Sequence, residues 1–364
     1  MKVHGTATAY RLYDVGYEID LDWVASLLGA DTRGRTRPAR TEAQAFRIRN
    51  PPLSAALGER ELVSEGKRHV GQLAAHVFDF GVCSLRFTVP GAPGCSWSDF
   101  TSFGSALDQA PELTLLFERE LRALAARIAP AVQRPRVAPV VEEYVVFRIQ
   151  RLEVDGGRPA TDVLTDEYLG ELLLGERRAL SIAARKELLG NRFSYYADDL
   201  AVLTWDNALV VEPRESDFDV EFVLEFANAQ LLEFRVYDAE LDAELPALYS
   251  RIAAARRRRR PSPTFRFGGV LSDMQTRVAD ITEVVERADN ALKVMDDVYL
   301  ARIYEKALAL FRERSWRSGI DRKLGIFRDT YAMLNDEAQT TRAELLELAI
   351  VVLIVVEIVL GLSR

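Results

Sequence analysis

The chain has 364 residues, 48% of them hydrophobic and 28% charged, an ordinary globular composition with room for two domains. A formal net charge of -8 and a pI near 5.3 argue against wholesale coating of nucleic acid, although a local basic patch still binds polyanions. Two cysteines, Cys83 and Cys95, and three histidines, His4, His69 and His76, exclude a disulfide framework and leave little for zinc chemistry, so a reducing compartment is expected, with no metal and no cofactor.

The opening Met1 to Thr6 lacks an apolar signal region, so secretion is not expected. Residues 3–13 (VHGTATAYRLY) predict a strand, and Ile19 to Leu28 a short helix with Asp20 or Asp22 placed to cap it. Asp31 to Arg40, rich in Gly, Arg and Thr, reads as a loop. His76 to Phe80 and Val82 to Val89 read as a hairpin turning near Asp79-Phe80-Gly81, closed by the loop chemistry of Pro90-Gly91-Ala92-Pro93-Gly94. Glu112 to Ile128 follows as an amphipathic helix carrying Leu113, Leu116, Leu121, Leu124 and Ile128 inward. Val140 to Gln150 begins another strand, helical pieces follow at Asp166 to Leu174 and Ala179 to Leu189, and Leu200 to Thr204 with Ala208 to Val211 makes a second hairpin. A long helix then runs from about Asp219 to Ala255, with Leu231, Phe234, Leu241, Leu245, Leu248 and Ile252 on one face. The order strand, helix, hairpin, helix thus occurs twice, which predicts an α+β body over 1–255 built of two tandem β-α-β-β-α halves, 1–130 and 140–255.

Arg256 to Arg260 is an unbroken arginine run, and Pro261-Ser262-Pro263 after it breaks any helix, so 256–269 reads as a basic linker. Beyond it, Leu271, Met274, Val278, Ile281, Val285, Ala288, Leu292, Met295 and Tyr299 alternate steps of three and four. The spacing resumes from Ile320 through Leu324, Phe327, Tyr331, Leu334, Ala338, Thr341, Leu345, Leu348, Val352, Val355, Val359 and Leu362. Ser315 to Gly319 offers a helix stop between them. The expectation for 270–364 is therefore an antiparallel coiled-coil helical hairpin with two arms of roughly 65 Å each.

Its tail, 345–362 (LLELAIVVLIVVEIVLGL), holds only Glu347 and Glu357 as charges, and Ala349 to Val356 is apolar on every face. Such a helix must be surrounded by protein or lipid. The run is short of the ~20 residues that cross a hydrocarbon core, and in the expected hairpin the tail lies beside Asp273, Arg277, Asp280 and Glu283. Insertion then requires the tail to extend past its partner or to bundle with other tails. Ile350, Val352, Leu353, Val355, Val356 and Val359 are the residues assigned to this oligomer or membrane segment, a transmembrane helix being one form it takes.

Catalytic signatures are absent: Gly156-Gly157 and Gly268-Gly269 lack the flanking residues of a phosphate loop. Arg256, Arg257, Arg258, Arg259 and Arg260 are the polyanion candidates, for anionic lipid or for RNA. Arg235 and Asp238 are candidates for a polar contact between body and hairpin. Tyr195, Tyr196, Asp198 and Asp199 precede a strand and either shape a pocket or form a core edge, and Asp296, Asp297 and Glu305 read as a solvated helix face.

Leu232-Glu233-Phe234-Arg235 with Tyr237-Asp238, Ser315 to Leu324, Tyr331 to Glu337 and Glu344 to Glu347 before the apolar tail together resemble the required-for-meiotic-nuclear-division family, also called the YagE-like domain of unknown function. The resemblance runs from about residue 195 onward. It implies a C-terminal coiled coil with a terminal hydrophobic segment, and relatives that include a mitochondrial inner-membrane protein supporting translation as a scaffold or ribosome tether. The N-terminus, without a targeting region, departs from that relative. The leading expectation is a non-enzymatic, self-associating scaffold, a homo-oligomer docked to membrane lipid with a cytoplasmic body. The alternatives are an RNA- or ribosome-binding module using the arginine run and an enzyme with a site near Tyr195, Asp199 and Arg235.

Overall fold

The computed structural model describes residues 1–35, 50–64, 66–154, 159–176, 178, 180–214, 217–257, 269–276, 278–279, 281–283 and 297–362. They belong to two compact units, Met1–Val236 with Ala288–Arg314, and Tyr237–Arg287 with Ser315–Arg364. The strands are β1 (Lys2–Asp14), β2 (Glu18–Ile19), β3 (Thr32–Arg35), β4 (Leu53–Ser64), β5 (Lys67–Val77), β6 (Val82–Pro90), β7 (Cys95–Ser96), β8 (Val132–Gln133), β9 (Val141–Glu153), β10 (Arg192–Phe193), β11 (Leu200–Leu203) and β12 (Asn207–Val211). The helices are α1 (Leu21–Leu28), α2 (Trp97–Asp108), α3 (Pro111–Ile128), α4 (Ala160–Val163), α5 (Asp166–Leu174), α6 (Ile182–Leu188), α7 (Asp219–Arg257), α8 (helical at 269–276, 278–279 and 281–283), α9 (Val298–Leu310) and α10 (Glu313–Leu362). The architecture is mixed α+β, a sheet-rich body followed by helices.

In the first unit one sheet runs in the order β10-β11-β12-β9-β1-β6-β5-β4-β3, with β7 added beside β1 and a separate small pair of β2 and β8. The strands of 1–130 and those of 140–255 join in this sheet along the β1–β9 pairing, which matches Tyr10 with Tyr144 and Ala7 with Phe147. Their neighbours differ: β6 runs antiparallel to β1, whereas β12 runs parallel to β9. Local chemistry starts the helices where expected. Asp20 caps α1 by accepting from Asp22 N and Trp23 N, and Pro111 occupies the first turn of α3. The β5–β6 turn needs Gly81, whose φ of +99° is left-handed and whose missing Cβ would fall 1.9 Å from Gly16 O. The expected loop after Asp31 instead opens with β3, paired to β4, before 36–49 lie outside the described residues.

Because side chains alternate across a sheet, its two faces carry different residues. One face, with Ala7, Ala9, Leu85, Phe87, Leu73, Ala75, Val145 and Phe147, forms the dry core with Leu107 of α2, Leu113 and Phe117 of α3 and Leu169 of α5. The opposite face carries Tyr10, Arg86, His76, Glu142, Tyr144 and Arg148, and meets α7 and α9.

The second unit packs three helical segments along a seam. Leu241, Leu248, Ile252 and Ala255 of α7, Met274 and Ile281 of α8, and Ile320, Leu324, Phe327 and Leu334 of α10 are buried. The expected three-four spacing of the last two segments is therefore the packing face, with the end of α7 as a third partner. The expected fold-back at Ser315 to Gly319 is corrected: those residues lie inside α10, and the chain breaks earlier, at Phe311 and Arg312, where Arg312 adopts φ 56°. Gly319 serves close packing instead of a helix stop, since a Cβ there would meet Asp238 Oδ1 at 3.2 Å. The expected single first arm is also corrected, because α9 has its own N-cap, Asp297 on extended backbone accepting from Tyr299 N and Leu300 N, and belongs to the first unit.

Candidate functional site

Two features of the chain are candidates for function, a buried layer of charge in the first unit and a bare apolar helix end in the second. The charged layer is built by one stripe of α7. Glu221, Glu225, Asn228, Leu232 and Arg235 recur at steps of four and three, so they share one face of the helix. Glu221 accepts from Arg148 Nη1 of β9, and the same guanidinium donates to Asp217 O and Arg214 O at 2.7 Å each, tying the β12–α7 connection to the sheet. Glu225 Oε2 accepts from His76 Nδ1 of β5 at 2.7 Å, with Arg86 Nη1 of β6 at 3.6 Å. Arg235 pairs with Glu142 of β9.

Each charge carries the mark of its surroundings. Burial alone would raise the Glu225 carboxyl, but His76 and Arg86 outweigh it and hold the group below the usual carboxylate range. Burial and then Arg86 push His76 down, while Glu225 beside it pulls the other way. Glu142 goes the other way: burial outweighs Arg235 and lifts its pKa to about 7. Burial also pushes the Cys83 thiol up to about 12, which removes it as a nucleophile near neutral pH. The void nearest Glu221, lined also by Asp199, Asp217 and Tyr299, has a volume of about 10 Å³, room for about one water.

The sequence-derived candidates fall as follows. Tyr195, 60% exposed, packs against Tyr196 and Tyr299, and Asp199 is buried and accepts from Tyr195 N. Arg235 does not line the void beside Asp199. Arg235 and Asp238 both bear ion pairs, Asp238 with Lys323 of α10 at 2.7 Å. Asp297 is a helix cap, Glu305 is exposed, and Asp296 lies outside the described residues. Among the described residues no three His, Cys, Asp or Glu gather to hold a metal. Of the arginine run, Arg257 is exposed at the end of α7, whereas Arg258, Arg259, Arg260, Gly156-Gly157 and Gly268 lie outside the described residues. The sequence reading missed a surface cleft of about 230 Å³ lined by Arg68, His69, Cys95, Asp99 and Phe103.

The second feature is the end of α10. Its relation to its neighbours follows from three contacts: Lys323 Nζ meets Asp238 and Asp242 of α7, Arg251 of α7 meets Asp273 of α8, and Gln275 of α8 donates to Tyr331 OH of α10 at 2.8 Å. Advancing along α7 from Asp238 to Arg251 therefore advances along α10 from Lys323 toward Tyr331, and the two helices run parallel. Arg257 ends α7 roughly 28 Å beyond Asp238, level with about residue 342 of α10. No described residue of α8 lies more than eight positions from Gln275, about 12 Å, so α8 reaches at most to about residue 339. Ile350 to Val356, Ile358, Val359 and Leu360 are 47–67% exposed, whichever side of the helix they occupy. The expectation that the tail lies beside Asp273 and Glu283 is thereby corrected. Among the described residues no helix is long and apolar enough to cross a membrane, so the expected transmembrane helix is not found.

Comparison with known proteins matches residues 4–217 to the family model described as the N-terminal domain of the uncharacterized protein MJ0711. The uncharacterized protein MJ0711 of Methanocaldococcus jannaschii is 26% identical over 178 residues, 49% of this chain and 53% of that protein, so the match spans about half the relative's length. No solved structure matches. These findings overturn the resemblance to the required-for-meiotic-nuclear-division family. The residues that carried it lie at 232–238 and 315–347, beyond the matched stretch, and several are packing positions common to helical bundles: Leu232, Phe234, Ile320, Leu324 and Leu334 are buried.

Removing one partner of the buried pair, as in Arg148→Met, is expected to cost about 3–5 kcal/mol in urea unfolding because Glu221 is left uncompensated, whereas Arg148→Met with Glu221→Leu recovers most of the loss. Equal loss in the single and double variants would contradict the pairing. Glu142, with a folded pKa raised to about 7, contributes stability that is full below its unfolded value near 4.5 and is lost as pH rises through 7. Glu142→Gln should therefore flatten the stability profile between pH 4.5 and 7, a span worth on the order of 1–3 kcal/mol.

Proposed function

The chain belongs to the family of the N-terminal domain of the uncharacterized protein MJ0711, and from a body of that family joined to a bare apolar helix end we propose a non-enzymatic scaffold or tether that docks to membrane lipid through α10. The observation that carries the reading is the ring of exposed side chains from Ile350 to Leu360. A patch of this kind left in water marks an interaction surface. A partner helix in a coiled coil covers one stripe, whereas from Ile350 to Val356 every side of the helix is apolar and exposed, which is the demand that acyl chains meet. The close packing around the buried charge, where the void beside Glu221 measures about 10 Å³, supports a structural role for the body.

Self-association is the competing occupant, since Val352, Val355 and Val359 continue the seam spacing and several tails bundled together also cover one another. Density-gradient flotation with phosphatidylcholine vesicles separates the two. The full chain is expected to float with the vesicles, and a chain lacking residues 349–364 to stay at the bottom with an unchanged melting temperature, because the deleted side chains from Ile350 to Val356 are exposed. A full chain that forms defined oligomers in buffer and never floats would refute the membrane reading.

A further inference from the structure

We infer that the end of α10 enters the bilayer along its own axis, surrounded by acyl chains, and does not lie flat in the headgroup layer. The inference rests on the membrane reading and specifies its geometry. A helix lying in the interface needs two faces, an apolar one turned to the acyl chains and a charged or polar one turned to water. The end of α10 has only the first. Ile350 to Val356 is seven consecutive apolar residues, nearly two full turns, and Glu357 is the one charged residue between Ala349 and Leu362. Lying flat would turn about half of these side chains toward headgroups and water, whereas axial entry buries them all.

The lengths agree with axial entry. The described residues of α7 end level with about residue 342, which leaves about 10 Å of helix before Ala349, enough to clear a headgroup layer of about 5–8 Å. From Ala349 to Leu360 the helix rises about 17 Å, just past the midplane of a hydrocarbon core about 30 Å thick. Glu347, exposed at the base, then sits in the headgroup region, and Glu357 sits about 12 Å deeper than Ala349. That last placement is what makes the geometry testable. A carboxylate carried to that depth opposes entry, whereas on a flat helix it turns to water at little cost.

Full-length chain carrying Cys95→Ser, with a fluorophore on Ile350→Cys, Ile354→Cys or Ile358→Cys in turn, is bound to phosphatidylcholine vesicles brominated at shallow or deep acyl positions. All three sites are exposed, so the fold is kept. Axial entry predicts that the strongest quenching moves from shallow bromines at residue 350 to deep bromines at residue 358. It also predicts that Glu357→Leu strengthens partitioning into neutral vesicles by about 100-fold. Equal depth at the three sites, or partitioning unchanged by Glu357→Leu, would overturn axial entry and leave membrane binding standing. No quenching at any site by any bromolipid would overturn both.

Discussion

The contact between one stripe of α7 and the polar face of the sheet governs how the first unit is put together. Arg148–Glu221, His76–Glu225 with Arg86, and Glu142–Arg235 lie along a single helix face, so sliding α7 by one turn would leave every one of these groups buried beside the wrong partner. Ion pairs taken out of water gain little net stability over apolar contacts, but a broken one is expensive. The layer therefore fixes position more than it adds strength, and the dry core on the other face, with Phe87, Phe117 and Phe147, supplies the hydrophobic stabilisation. The same helix continues to Arg257, where it packs in the second unit with α8 and α10.

Much of this architecture was legible in the sequence wherever a local rule decides the outcome. Strand β1, strand β6 with the Gly81 turn before it, helix α3 with its inward leucines, and the seam from Ile320 to Leu334 all declare themselves through alternation, turn chemistry or three-four spacing, whereas β5 covers Lys67–Val77 and shares only His76 and Val77 with the strand expected at His76 to Phe80. Strand β4 and helix α2 were missed because their patterns are weak: β4 (LSAALGERELVS) is partly exposed near the sheet edge, and α2 (WSDFTSFGSALD) is rich in serine and glycine. The break between α9 and α10 was misplaced because a Ser-Gly pair resembles a helix stop, whereas the chain turns at an arginine in left-handed backbone. Spacing alone does not report such a conformation.

The charged layer was not legible at all. Its partners stand 73, 149 and 93 residues apart in the chain, and each member taken singly, a glutamate on a helix or an arginine on a strand, reads as a solvated group. Only the sheet order brings β5, β6 and β9 under one helix face. The tail was the reverse case. Its excess of apolar residues was plain in the sequence, but its position depended on register, and the contact of Gln275 with Tyr331 moves it from alongside α8 to well beyond it.

That register, together with the exposure of every side of α10 from Ile350 to Val356, is the ground on which lipid is proposed as its partner. The most direct measurement is the oxygen accessibility of nitroxide labels placed one at a time from residue 350 to residue 356 on vesicle-bound protein at low protein-to-lipid ratio. A lipid-surrounded helix gives uniformly high accessibility across the seven positions. Accessibility that rises and falls every three to four residues would mean that protein covers one face, and the assignment of lipid would be wrong.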